Sequence, residues 1–114
     1  MSFVVRPLGL KPEPMTPARI REGKRHMARV AKLACVICGR RPVQVHHVFH
    51  GRYGQRKVSD FETIPLCPEH HQVGPYAIHN DKAGWLDRWG ADHSYLAVVA
   101  DTLAGRTRNE RTRR

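Results

Sequence analysis

A chain of 114 residues is long enough for one small domain and too short for several. Its 20 Lys and Arg against 10 Asp and Glu give a net charge of +10, which favours polyanionic partners such as DNA or RNA and disfavours acidic ones. No uncharged apolar stretch nears the roughly 18 residues that a bilayer span requires; with no signal-like start in residues 1–6, the expectation is a cytoplasmic protein with no membrane contact.

Residues 1–17 hold Pro7, Pro12, Pro14 and Pro17, each lacking a backbone donor and pushing its predecessor out of the helical region, so an extended basic arm is expected. Thr16 followed by Pro17 reads as a cap with proline at the first helical position. A basic helix over residues 18–33 follows, with Ile20, Met27, Val30 and Leu33 at helical spacing and Gly23 weakening it. The Cys35-x2-Cys38-Gly39 knuckle leads into a β-branched and aromatic strand over residues 42–49. Residues 51–57 are a glycine-punctuated cationic loop, and residues 61–66 a second strand with Pro65 at an edge or bulge. Pro68 opens a helical turn over residues 69–73, which Gly74 and Pro75 interrupt. A helix over residues 81–89 presents Trp85, Leu86 and Trp89 on one apolar face. A last one over residues 95–103 packs Leu96, Val99 and Leu103. Residues 105–114, rich in Arg, read as a disordered tail.

Cysteine spacing carries the strongest chemical signal. Cys35-x2-Cys38 and Cys67-x2-His70 are two knuckles that together supply the four donors of a closed tetrahedral zinc site. Three cysteines are an odd number, and in a reducing compartment paired knuckles read as metal ligands before disulfides. With four protein donors no position is left for water, so this zinc is expected to be structural. It would also staple a domain too small for a large core.

Histidines crowd the same stretch: His46, His47, His71 and His79, with His50 close by. Adjacent strand residues point to opposite faces. At a strand end His46 could therefore ligate a metal while His47 faces a substrate. Neutral imidazole serves both as a metal ligand and as a base near pH 7. Phosphodiester hydrolysis needs such a base and a cation near the phosphate.

These residues resemble the HNH (His-Me finger) endonuclease superfamily, whose core is a β-hairpin and helix around one metal. The resemblance rests on Cys35-x2-Cys38-Gly39, on Val45-His46-His47 and on the Ile-Pro-Leu-Cys-x2-His-His run ending at His71. Residues 46–60, residues 64–71, Ala77-Ile78-His79, Gly84-Trp85 and Trp89-Gly90 are closer still to the phage recombination-enhancement, RecA-dependent nuclease family. The likeness covers about residues 35–90. It implies His47 as general base and His46, His71 and His79 as holders of a catalytic divalent ion such as Mg. Cys35, Cys38, Cys67 and His70 would hold the structural zinc. The middle Asn of the superfamily, which orients the base, is missing here. Asp60, Glu62 or Thr63 could substitute, and Asp60 is favoured because the closer family has Asp there. His71 and His79 are eight apart where one helical turn is usual, and Gly74 and Pro75 would supply a bulge that restores the geometry.

The expectation is thus an α+β chain: a small zinc-stapled ββα-metal core, flanking helices and a basic extended arm, with residues 18–104 as the nuclease domain. Its function would be metal-dependent DNA hydrolysis in phage or prophage recombination, repair or packaging. Arg52, Arg56 and Lys57 would bind the DNA backbone without reading sequence. A RecA filament is a further partner implied by the resemblance. Two rival readings are a non-catalytic zinc module that binds nucleic acid and a small adaptor of a recombinase or phage machine.

Overall fold

The computed structural model describes residues 15–50 and 59–105. The arm before residue 15, the cationic loop with Arg52, Arg56 and Lys57, and the tail after residue 105 lie outside the described residues.

Helix α1 spans Pro17–Val30. The Thr16 hydroxyl accepts the Arg19 N–H at 3.1 Å, and Pro17 fills the first turn, where no donor is needed. The helix ends three residues before the expected Leu33. There the amides of Lys32 and Leu33 donate to the carbonyls of Arg29 and Val30, a tighter turn that feeds the chain into Cys35. Only the C-terminal part of its apolar stripe is sunk: Val30 is buried and Ile20 is exposed. Gly23, expected to weaken the helix, is instead buried against the segment after the loop. A Cβ there would lie 3.0 Å from Cβ of Asp60, so glycine permits the approach.

Strand β1 (Gln44–His47) pairs antiparallel with β2 (Thr63–Leu66), His46 facing Ile64 and His47 facing Thr63. Both are shorter than the sequence suggests. The Glu62 amide donates to the Ser59 carbonyl and the Phe61 amide to Ser59 Oγ, so a turn takes the residues that propensity assigns to the strand. Pro65 lies within β2 opposite Val45. In a two-stranded sheet each strand is an edge, so its missing N–H breaks no ladder. Its carbonyl accepts the Val36 amide at 3.1 Å, tying the first knuckle to the sheet.

A five-residue π-helical turn, Glu69–Val73, follows, and Gly74 ends it. Helix α2 (Lys82–Trp89) starts at Asp81, whose side chain accepts the Gly84 amide at 2.9 Å. The final helix is split, a 3-10 turn over Asp92–Tyr95 leading into α3 (Leu96–Leu103). Val30, Val48, Ile64, Leu66, Ile78, Trp85 and Val99 form the core, each fully buried aliphatic side chain contributing roughly 1.5–3 kcal/mol. Leu86 departs from expectation. Trp85 and Trp89, four apart, share the inner face, while Leu86, a third of a turn away, is 43% exposed. The result is a small α+β fold with a sheet of two strands. Among the described residues, no helix is long and apolar enough to cross a membrane.

Candidate functional site

Two clusters of metal-binding side chains form around the hairpin and the π-helical turn. In the first, Cys35, Cys38, Cys67 and His70 bring their donor atoms within 4.8 Å of one another. Sγ of Cys38 and Cys67 are 3.6 Å apart, and Nδ1 of His70 lies 3.3 Å from Cys67 Sγ and 3.9 Å from Cys35 Sγ. Zinc–sulfur bonds of 2.3 Å at tetrahedral angles put two sulfurs about 3.8 Å apart, so this donor set fits zinc without rearrangement. The knuckle is shaped by backbone. Gly39 has φ of 79°, a left-handed conformation that favours glycine, and donates to the Cys35 carbonyl at 2.9 Å; the Ile37 amide points at Cys35 Sγ at 3.4 Å. Burial is the main cause that pushes the Cys38 thiol up to about 11 and holds the His70 imidazole below its ordinary value. Without a metal, Cys38 therefore stays a neutral thiol. The cluster could hold a metal ion such as zinc.

His46, His71 and His79 form the second cluster, again with donor atoms within 4.8 Å. Their rings meet edge to face at centroid distances of 4.7 to 5.3 Å. Sequence separation between His71 and His79 is closed by backbone. The Ile78 amide donates to the His70 carbonyl at 2.9 Å and the His79 amide to the His71 carbonyl at 3.1 Å, so the chain doubles back after Gly74. Burial, then the neighbouring His46 and His79, depress His71 to about 4, and burial followed by His46 lowers His79 as well. At neutral pH these two rings are neutral and keep lone pairs for a cation. His46 and His71 are buried while His79 is exposed, so the cluster opens to solvent on one side. Three nitrogen donors with an open side is the donor pattern of an incompletely filled coordination sphere, unlike the closed set next to it.

Two outer residues fix these rings. Asp92, fully buried, takes Nε2–H of His46 at 2.9 Å on one oxygen, which also accepts the Phe49 amide at 2.7 Å. Its other oxygen accepts the His50 amide at 3.0 Å. Burial opposes its charge, but the bonds from His46 and the two amides outweigh that and hold the carboxyl at about 2. Gln44, on the same face of β1 as His46, accepts Nδ1–H of His71 on Oε1 at 2.6 Å. With these protons committed, His46 keeps its lone pair on Nδ1 and His71 on Nε2. His50 has no such freedom: Nδ1 accepts the Asp92 amide at 2.9 Å and Nε2 donates to the Lys82 carbonyl at 3.3 Å. Its role is to anchor the turn that carries Asp92.

On the opposite face of β1, His47 is 41% exposed and Asp60 26%, and they meet at 2.9 Å between Nε2 and Oδ1. The turn described above holds Asp60 there, its carbonyl accepting the Thr63 hydroxyl at 3.1 Å. The alternation expected of adjacent strand residues places His46 inward and His47 outward. Neither Gln44 nor Asp92 stands out in the sequence as a site residue. Arg52, Arg56 and Lys57 lie outside the described residues.

No curated protein and no solved structure matches the sequence. Among protein families, residues 15–104 match the one described as protein of unknown function (DUF968). That span begins just before Thr16 and ends beyond α3, taking in both knuckles, the hairpin and all the histidines above. The chain therefore belongs to the DUF968 family.

Proposed function

We propose that this protein is a metal-dependent endonuclease of the HNH type that hydrolyses phosphodiester bonds in DNA. The observation that carries this reading is the split of two consecutive residues: His46 joins a three-histidine cluster, and His47 pairs with Asp60 on the solvent side. In this reading the hairpin, the π-helical turn and α2 correspond to a ββα-metal core, and Asp60 takes the place of the missing Asn.

His46, His71 and His79 would hold the divalent ion; three imidazole nitrogens suit ions such as zinc or nickel and fit oxygen-seeking magnesium poorly. Such an ion supplies positive charge to the scissile phosphate and its leaving oxygen. The protein's own part is proton handling. Nε2–H of His47 is committed to Asp60, which leaves Nδ1 with the lone pair that accepts a proton from the attacking water. The Asp60 carboxylate keeps the ring in that tautomer and offsets the imidazolium charge as it forms. Cys35, Cys38, Cys67 and His70, with zinc, would fix the π-helical turn that carries His71. The net charge of +10 suits a DNA substrate, and Arg52, Arg56 and Lys57 are read as backbone contacts. A phage or prophage setting in recombination, repair or packaging, and a RecA filament as partner, follow from the sequence resemblance.

Supercoiled plasmid incubated with the protein and magnesium, manganese, nickel or zinc should be nicked, and parallel reactions with RecA filaments read out whether the filament is a partner. His47→Ala should lower the rate by roughly 10² to 10⁴-fold while zinc content and fold stay as in the wild type. Equal nicking by His47→Ala would remove the role assigned to His47. No nicking with any of these metals would leave a zinc-bearing binding module as the better description.

A further inference from the structure

Away from both clusters, α1 and Phe61 enclose an open recess of about 310 Å³, lined by Glu22, Arg25, His26, Arg29 and Phe61. At about 30 Å³ per water, that is room for roughly ten waters, ample for a phosphate group and part of its sugar. Arg25 and Arg29 stand one helical turn apart on the same face of α1, both exposed. Phe61 packs against α1, with the Arg19 guanidinium 4.2 Å from its ring centroid and the His26 ring at 5.3 Å. The helix itself carries Arg19, Arg21, Lys24, Arg25 and Arg29 against the single acid Glu22. That acid is drawn toward Arg19 at 3.9 Å. The surroundings are thus cationic, with an aromatic wall.

The position of the recess gives it meaning. Phe61 directly follows Asp60, and Gly23, next to Glu22, packs so close to Asp60 that a Cβ would come within 3.1 Å of its carboxylate. The recess therefore borders the His47–Asp60 pair. We propose that it seats a backbone phosphate of bound nucleic acid, gripped by Arg25 and Arg29. Guanidinium forks bind phosphate bidentately, which lysine cannot do. The ligand class rests on the nuclease reading, but the recess is tested by binding alone.

The test uses the full chain carrying His47→Ala, with zinc bound and no added magnesium, and a fluorescein-labelled 20-base-pair DNA duplex. Arg25→Ala with Arg29→Ala should weaken binding on the order of tenfold and flatten the dependence of log K on log salt by about 1, for the one phosphate that the two side chains share. A charge-matched control, Lys24→Ala with Arg88→Ala, should change affinity much less. Glu22→Gln, which removes the one acid from the recess, should tighten binding severalfold, an outcome that misfolding cannot imitate. Equal weakening by the two double variants overturns the proposal, because affinity would then follow net charge and not this recess; unchanged affinity in Glu22→Gln overturns it too, because the acid lining the recess would then not touch the bound phosphate. A chain that binds in this pattern yet nicks no plasmid would keep the recess and lose the nuclease.

Discussion

Asp92 and His46, 46 residues apart, are joined by a 2.9 Å hydrogen bond in which both side chains are almost wholly buried. The carboxylate also receives two backbone amides, so it is a fixed acceptor that sets which nitrogen of His46 bears the proton. Outer carboxylates of this kind commonly raise the affinity of a metal-binding histidine.

Asp92→Asn should accordingly do two things. An amide has one oxygen where three donors now converge, so one N–H or ring proton loses its acceptor, at a cost of about 1–3 kcal/mol of stability. Divalent-metal affinity of the three-histidine cluster should fall roughly 10- to 100-fold. Urea denaturation and titration calorimetry read these separately; unchanged metal affinity in a folded Asp92→Asn chain would mean that the carboxylate serves only packing.

His46→Ala and His47→Ala should fail in different ways. A missing metal donor lowers occupancy, which mass action restores, so His46→Ala nicking should rise with divalent-ion concentration. Loss of a base leaves the ion bound and the proton unclaimed, so no concentration of metal should recover His47→Ala. Rates measured over a metal series decide between them. Parallel curves for the two variants would contradict the division of labour between neighbouring residues.

Cys38→Ser should release about one zinc per chain and unfold the domain. Metal binding in small zinc-stapled units is folding energy, roughly 10 kcal/mol or more in zinc-finger peptides. Here the four donors also lock the segment after α1 to the turn after β2. Elemental analysis and circular dichroism check this together; a zinc-free Cys38→Ser chain with native spectra would show that the cluster is dispensable.

Gly23→Ala sets helix propensity against close packing. Alanine favours a helix interior by about 1 kcal/mol over glycine. Its methyl, though, would stand 3.0 Å from Cβ of Asp60 and 3.1 Å from Oδ2. The expected outcome is a folded chain of near wild-type melting temperature whose nicking rate drops because Asp60 moves off His47. Full activity in Gly23→Ala would show that Asp60 has room to yield.

Much of the proximity is legible in sequence: the two knuckles bring Cys35, Cys38, Cys67 and His70 together, His46, His71 and His79 converge, and His47 lies against Asp60. Alternation along β1 separates His46 from His47 because strand geometry allows nothing else. What escaped were groups whose meaning depends on distant partners. Asp92 precedes an apolar helical stretch and so reads as an ordinary helix-start acid; only the return of the chain onto Phe49 and His50 makes it a partner of His46. Gln44 looked like one more polar strand residue. Gly23 looked like a flaw in a helix, since propensity registers the cost of glycine but not the neighbour it admits. Strand β2 starts later than its propensity suggests because Ser59 takes backbone donors that a ladder would have used.

One peptide bond separates His70, in the closed cluster, from His71, in the open one. The two sites therefore cannot be assembled independently. A chain whose knuckles are unfilled holds the π-helical turn by hydrogen bonds alone, such as those from the Ile78 and His79 amides to the His70 and His71 carbonyls, so His71 would be less firmly set against Gln44 and His46. Filling would then be ordered, the thiolate-rich pocket first and the imidazole trio second. The binding isotherm of the second ion would carry the history of the first: zinc-depleted protein should take up an ion at the three histidines weakly, and one prior equivalent of zinc per chain should make uptake of the next one tighter.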